Sequence, residues 1–169
     1  MPSSFPNSIW NVSFLDPGAE SRNPLALVVL NQALAPVTFA RLWLKCRWRI
    51  FADGGSNRVY DAFSPEERLR RKGVPIEQIE DQDSTDLMKC IAWIANVEKS
   101  QDAKLDVALL GGLSGRLDHT VHTMSLLHKL RNVHRIFAIS NESVGWVLDR
   151  VSIPSHRRQK GYLITPVRI

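Results

Sequence analysis

The sequence predicts an α/β fold, a Rossmann-like and mostly parallel sheet with helices on both faces. Three observations carry this reading. Short apolar runs, Leu25 to Asn31, Arg49 to Ala52, Val107 to Leu110 and Arg135 to Ser140, alternate with stretches of helical periodicity. The runs lack apolar/polar alternation, so they read as strands buried on both faces, as strands of a parallel sheet are. Glycines and carboxylates collect where strands hand over to helices, and in open α/β sheets ligands sit in the crevice at the carboxyl ends of the strands.

Composition sets the frame. At 169 residues, 44% hydrophobic and 23% charged, the chain can bury one core of ordinary size, so one domain with a short appendage is expected. A net charge of +5 would suit a polyanion, but the basic residues are spread along the chain. Nucleotide phosphate is a sufficient target, and no nucleic acid is expected as partner. Cys46 and Cys90 stand alone, which fits a reducing compartment. The first residues have neither the basic start nor the apolar run of a signal peptide, and no segment approaches a membrane span. A cytoplasmic protein without a membrane partner is expected.

Residues 1–24, rich in Ser, Pro and Asn, read as a loosely ordered lead-in. Leu25 to Asn31 is the first strand, and Pro36 can open the helix that follows. Arg49 to Ala52 is the second strand, ending at Asp53-Gly54-Gly55-Ser56-Asn57, where Asp53 is a turn former, a helix cap or a ligand group. Ser64 to Lys72 reads as a short charged helix and Ile76 to Glu80 as a weak strand. Asp81-Gln82-Asp83-Ser84-Thr85-Asp86 then precedes the apolar pattern Leu87, Ile91, Ile94. Ser84 can cap that helix while Asp86 sits in its first turn, favourably for the dipole. Capping leaves the excess of acid unexplained, since close carboxylates repel unless a cation lies between them.

Val107 to Leu110 is a strand bounded by Gly111 and Gly112, with Gly115 close behind. Glycines let backbone approach a ligand with little steric cost. Leu117, Val121, Met124, Leu127 and Leu130 recur at helical spacing and predict one apolar stripe. The start of that helix is a plausible anion site, to which Arg116 adds a fork of donors, with Asp118 and His119 in its first turn. Arg135 to Ser140 is a further strand, Asn141-Glu142 a turn, and Val144 to Leu148 another strand. The tail after Arg150 is basic and irregular.

Three motifs together resemble the thiamine pyrophosphokinase (thiamine diphosphokinase) family. They are Ala52-Asp53-Gly54-Gly55-Ser56-Asn57-Arg58, Asp83-Ser84-Thr85-Asp86 with Lys89-Cys90 behind it, and Gly111-Gly112 to Gly115-Arg116-Leu117-Asp118-His119-Thr120. With Leu27 to Gln32 and Ile139 to Leu148 the resemblance covers residues 25–149, expected to form a nucleotide-binding catalytic domain. It implies a magnesium-dependent enzyme that moves pyrophosphate from ATP to thiamine, giving thiamine diphosphate and AMP. It also implies a homodimer, with thiamine held between one subunit's catalytic domain and the other's small β-rich C-terminal domain.

By the same resemblance Asp86, helped by Asp83, would hold magnesium, and Arg116 with the amides of Gly111, Gly112 and Gly115 would hold phosphate. Asp118 would orient or deprotonate the substrate, with Gln82, Thr85 and His119 beside it. Asp53, Gly54, Gly55 and Asn57 would line the nucleotide pocket. Attack by an alcohol at phosphorus requires such neutralisation and in-line placement.

Two departures stand out. The family carries a further strand ending in a Gly-Asp-x-Asp-Ser loop whose acids bind metal, whereas here Asp61-Ala62-Phe63 runs directly into Ser64-Pro65-Glu66. Residues 150–169 do not match the family's C-terminal domain and are expected to be a remnant of it in a truncated form. Two other readings compete. One is a non-catalytic nucleotide-binding or dimer-modulating isoform. The other is a metal hydrolase using Asp118, His119 and His122, with no second ligand cluster in support.

Overall fold

The computed structural model describes residues 12–16, 18–19, 21, 23–64, 66, 84–147 and 163–167, the last five by their backbone alone. The sheet grows outward from β1, Leu25–Val29, every residue of which is buried. β2, Trp48–Phe51, pairs with it in parallel on one side in the register Ala26↔Trp48. β3, Asp106–Leu110, pairs in parallel on the other, Leu25↔Asp106. β4, Arg135–Ile139, lies parallel beside β3, and β5, Ser143–Val147, is antiparallel to β4. β6, Leu163–Val167, runs parallel to β5, completing the order β2-β1-β3-β4-β5-β6. The antiparallel pairing follows from the connection. Only a tight turn joins β4 to β5, too short for a crossover. The Ser140 hydroxyl closes it by accepting the N–H groups of Glu142 and Ser143 at 3.3 and 3.1 Å.

Helices cover both faces, as expected. α1, Pro36–Lys45, opens with proline at its first position, where a missing N–H costs nothing. α2 is Gly55–Ala62, α3 Asp86–Gln101 and α4 Leu117–Leu130. Successive strand residues point to opposite faces. Leu25, Leu27, Val29, Leu110 and Phe137 therefore pack with Phe39 and Leu42 of α1 and Val59 of α2. Ala26, Val28, Val107, Leu109 and Ile136 pack with Leu87, Ile91 and Ile94 of α3 and with Leu126 and Leu127 of α4.

Several elements differ from the sequence expectation. Within residues 1–24, expected to be loose, Phe14 and Leu15 are almost wholly buried in the α1-side core. The Lys45 ammonium holds the chain beyond them, donating to the Asp16 and Ala19 carbonyls at 2.5 and 2.9 Å. The cap of α3 is Thr85, not Ser84: its extended backbone lies immediately before the first helical residue, and its hydroxyl accepts the Met88 N–H at 3.3 Å. On α4 the expected stripe holds only toward its C-terminal half. Leu117 and Val121 are 77% and 57% exposed, whereas Leu127 is buried as expected, with Thr123 and Leu126 buried beside it. The expected helix of Ser64 to Lys72 (apart from Ser64 and Glu66), the strand Ile76 to Glu80, and Asp81 to Asp83 lie outside the described residues.

Candidate functional site

β1 is flanked by β2 and β3, which leave it on opposite sides, so the strand order reverses beside it. At such a switch point a crevice opens at the carboxyl ends of the strands. The chain leaves β1 through a tight turn in which the Gln32 N–H donates to the Leu30 carbonyl at 2.8 Å. Asn31 and Gln32 are thereby sent to different neighbours. The Asn31 amide donates to Asp53 Oδ2 at 3.2 Å, and its Oδ1 accepts from Arg58 Nε at 2.8 Å. Gln32 lies against the other glycine turn. A Cβ on Gly111 would sit 3.0 Å from Gln32 Cβ, and one on Gly115 would meet the whole Gln32 amide, with Nε2 at 2.6 Å.

The glycines divide into two kinds. Gly111 and Gly115 have φ of +89° and +84°, where a side chain is strained. Gly55 is buried at the start of α2, and a Cβ there would collide with the Val29 carbonyl, so it serves close packing of helix on strand. Gly54 faces the Asn31 amide, and Gly112 faces Leu109 and Thr123. Asp53 adopts the left-handed region at φ +50°, which aspartate tolerates better than most residues, and its carboxylate is exposed. Asn57 lies in the first turn of α2, also exposed.

At α4 the N-cap is Arg116, and Asp118 is a first-turn acid, as expected. The guanidinium grips it twice, Nε to Oδ1 at 3.0 Å and Nη2 to Oδ2 at 2.6 Å. Hydrogen bonds from Arg116 hold the Asp118 carboxyl below its ordinary range, with smaller help from the His119 side. Both partners of this pair, and His119, are exposed. Asp86, at the start of α3, pairs with Lys89 at 3.2 Å. Thr85 Oγ1 lies 3.4 Å from His122 Nε2, which brings the second motif against the third.

The structure thus gathers two of the three motifs around residues 30–32 and joins the second to the third through Thr85 and His122. Gln82 and Asp83 lie outside the described residues. Among the described residues no three His, Cys, Asp or Glu side chains are placed to hold a metal by themselves, so Asp118, His119 and His122 do not form a hydrolase centre. Sequence reasoning left out Asn31, Gln32 and Arg58 as site residues. The available signal was a pair of amide side chains directly after a buried strand. A groove of about 550 Å³ between α1 and α2, lined by Phe39, Trp43, Arg58 and Phe63, contains none of the expected site residues.

Comparison with known proteins bears on this geometry. Residues 39–138 match the family model described as "Thiamin pyrophosphokinase, catalytic domain". The chain is 33% identical to thiamine pyrophosphokinase 1 of Oryza sativa subsp. japonica, over 75% of this chain and 59% of that protein. It is 31% identical to thiamine pyrophosphokinase 2 of Arabidopsis thaliana, over 89% of this chain and 67% of that protein. The chain therefore spans about three fifths to two thirds of the length of these relatives. The second alignment runs over 184 positions, more than the 169 residues of this chain, so the relative has internal residues with no counterpart here. In fold, the chain resembles the thiamin pyrophosphokinases of Candida albicans and of yeast. Each gives a TM-score of 0.56, at 19% and 20% identity, over 72% and 76% of this chain and 60% and 61% of theirs. Among the described residues no helix is long and apolar enough to cross a membrane.

Proposed function

This chain belongs to the thiamin pyrophosphokinase family, and from that premise we propose that its carboxyl-edge crevice serves transfer of a pyrophosphoryl group from ATP to the hydroxyethyl oxygen of thiamine. The products would be thiamine diphosphate and AMP. The observation that carries the reading is the convergence on one sheet edge of Asp53 to Asn57, Thr85-Asp86 and Gly111 to Asp118.

The residues can divide the work. Amides of Gly112 and Gly115, near the positive end of α4, and the Arg116 fork would hold phosphate oxygens, whereas the Gly111 N–H expected beside them is already donated to the Ile139 carbonyl at 2.8 Å. Asp53, Gly54 and Asn57 would line the nucleotide pocket, with Gly55 packed beneath them against β1. Asp118 would orient the thiamine hydroxyl or an amine of thiamine, and Thr85, His119 and Gln82 would border the substrate. The Arg116–Asp118 pair is exposed and hence exchangeable, so phosphate can take over the guanidinium and free the carboxylate.

Magnesium fits the donor chemistry. Hard oxygen donors are wanted, and one or two carboxylates suffice beside water and phosphate. Asp86, half-exposed and tied only to Lys89 among the described residues, would hold the ion together with Asp83. Bound there, magnesium would neutralise phosphate oxygens during transfer. A cytoplasmic homodimer, with neither nucleic acid nor membrane as partner, completes the proposal.

A second reading, nucleotide binding without turnover, is favoured by one observation: the Arabidopsis relative carries internal residues that this chain lacks. Incubation with ATP, magnesium and thiamine, followed by chromatography, separates the two. Thiamine diphosphate and AMP in equal amounts support transfer. Saturable binding of an ATP analogue without product supports the second reading, and failure to bind either substrate overturns both.

A further inference from the structure

We propose that Gln32 is a phosphate-contacting residue of this site, presenting its side-chain amide inside the Gly111–Gly115 turn. The inference rests on the reading of the crevice as a nucleotide site and adds to it a residue outside the three glycine and carboxylate motifs. Three observations lead to it.

The first is position. The turn after β1 places Gln32 at the carboxyl end of that strand, beside the switch point. The second is fit. Gly111 and Gly115 both have positive φ, and the space their missing side chains leave is taken by Gln32: its Cβ faces Gly111 and its amide lies against Gly115, with Oε1 nearest and Cδ and Nε2 each 2.6 Å from where a Cβ would be. Glycine at these two positions thus admits the Gln32 side chain as well as a left-handed backbone. The third is that this half-buried amide makes no hydrogen bond to any described residue. Its neighbour Asn31, by contrast, is engaged by Asp53 and Arg58. A polar group set in a crevice with its donors uncommitted is suited to a polar ligand.

The chemistry selects the ligand atom. Arg116 and the first N–H groups of α4 favour an anion beside the turn. A neutral amide can donate through its NH₂ edge to a phosphate oxygen without adding charge. A carboxylate of the same shape would repel phosphate, and a thioether would fill the same volume while donating nothing.

The test uses the whole chain, a non-hydrolysable ATP analogue with magnesium, and two near-isosteres, Gln32→Glu and Gln32→Met. Affinity should fall about tenfold or more in Gln32→Glu, and about threefold in Gln32→Met. Melting temperatures should stay within about 2 °C of wild type. Equal affinities in all three proteins, equal losses in the two variants, or losses that follow a fall in melting temperature would make Gln32 a packing residue and overturn the inference. A wild-type chain that does not bind the analogue would instead overturn the nucleotide reading on which it stands.

Discussion

Arg116 and Asp118 form a bidentate pair on the rim of the glycine turn, with both side chains more than half exposed. Exposed pairs contribute little to stability, so Arg116→Ala should leave the melting temperature within about 2 °C of wild type. Affinity for an ATP analogue should drop by roughly a factor of ten or more, because the fork is then missing from the anion site. Isothermal titration reads the second effect and thermal denaturation the first. Unchanged affinity would mean that the fork serves only its carboxylate.

Gly55 and Gly115 should respond differently to alanine. At Gly55 the new Cβ meets backbone, the Val29 carbonyl, and neither element can yield cheaply. Gly55→Ala is expected to destabilise the fold by about 1–3 kcal/mol in urea denaturation. At Gly115 the obstacle is the movable end of Gln32, though the positive φ adds strain. Gly115→Ala should cost stability less and nucleotide affinity more, and the reverse order would refute the division of roles.

Burial pushes the Cys46 thiol up to about 12 and the Cys90 thiol to about 11. Thiolates are the reactive form, so both should resist a thiol-specific disulfide reagent at pH 8 in the native protein. Both should react on addition of denaturant. Rapid labelling of either without denaturant would show that the end of α1, where Cys46 is the C-cap, or α3, which contains Cys90, opens on its own.

His134 is buried against Glu98, whose carboxylate also accepts the Leu105 N–H and the Lys104 ammonium, each at 2.9 Å. Burial, against the opposing pull of Glu98, lowers the imidazole below its ordinary 6.5. The folded state then binds fewer protons than the unfolded one. This contribution is complete above pH 6.5 and is lost as pH falls from there through the lower folded value. Denaturation midpoints measured from pH 7.5 to 5 should therefore decline, and His134→Gln should flatten the slope. An identical slope in the variant would exclude this histidine as the source.

Restoring what the resemblance says is missing gives a separate test of the metal assignment. Insertion of a strand ending in Gly-Asp-x-Asp-Ser after Phe63 should raise thiamine diphosphate formation by about a hundredfold or more. In that protein Asp86→Asn should abolish turnover and leave the fold intact. Indifference to Asp86→Asn would place the metal elsewhere.

Strands were the most legible part of the fold, because LALVV and VALL are uninterrupted apolar runs and are buried on both faces, as is RIFAI with its Arg135; RIFA departs from the expectation, since β2 lies at the end of the strand order and Arg49, Ile50 and Phe51 are only half-buried. Periodicity was less informative on α4. Leu117 and Val121 keep helical spacing with Met124 and Leu127, and nothing local in the sequence tells that the first two are exposed while Leu127 is buried. The cap of α3 was ambiguous for a similar reason, since Ser84 and Thr85 are equally good acceptors and only the first helical residue chooses between them. In the site, glycine and carboxylate motifs could be read off directly. Asn31 and Gln32 could not, because their role comes from contacts with residues 22 to 83 positions away.

The strand order also sets a timetable for synthesis. β1 is made early, yet its Leu25 finds its neighbour Asp106 only after 80 intervening residues have been translated. At about 5–20 residues per second that is an interval of roughly 4–16 s. Meanwhile LALVV, apolar on both faces, can pair with β2 on one edge alone, and its other edge stays open to any extended chain nearby. Ribosome-bound chains ending between residues 60 and 105 should accordingly be the ones that chaperones hold and that aggregate when released, whereas chains long enough to expose β3 outside the exit tunnel should not.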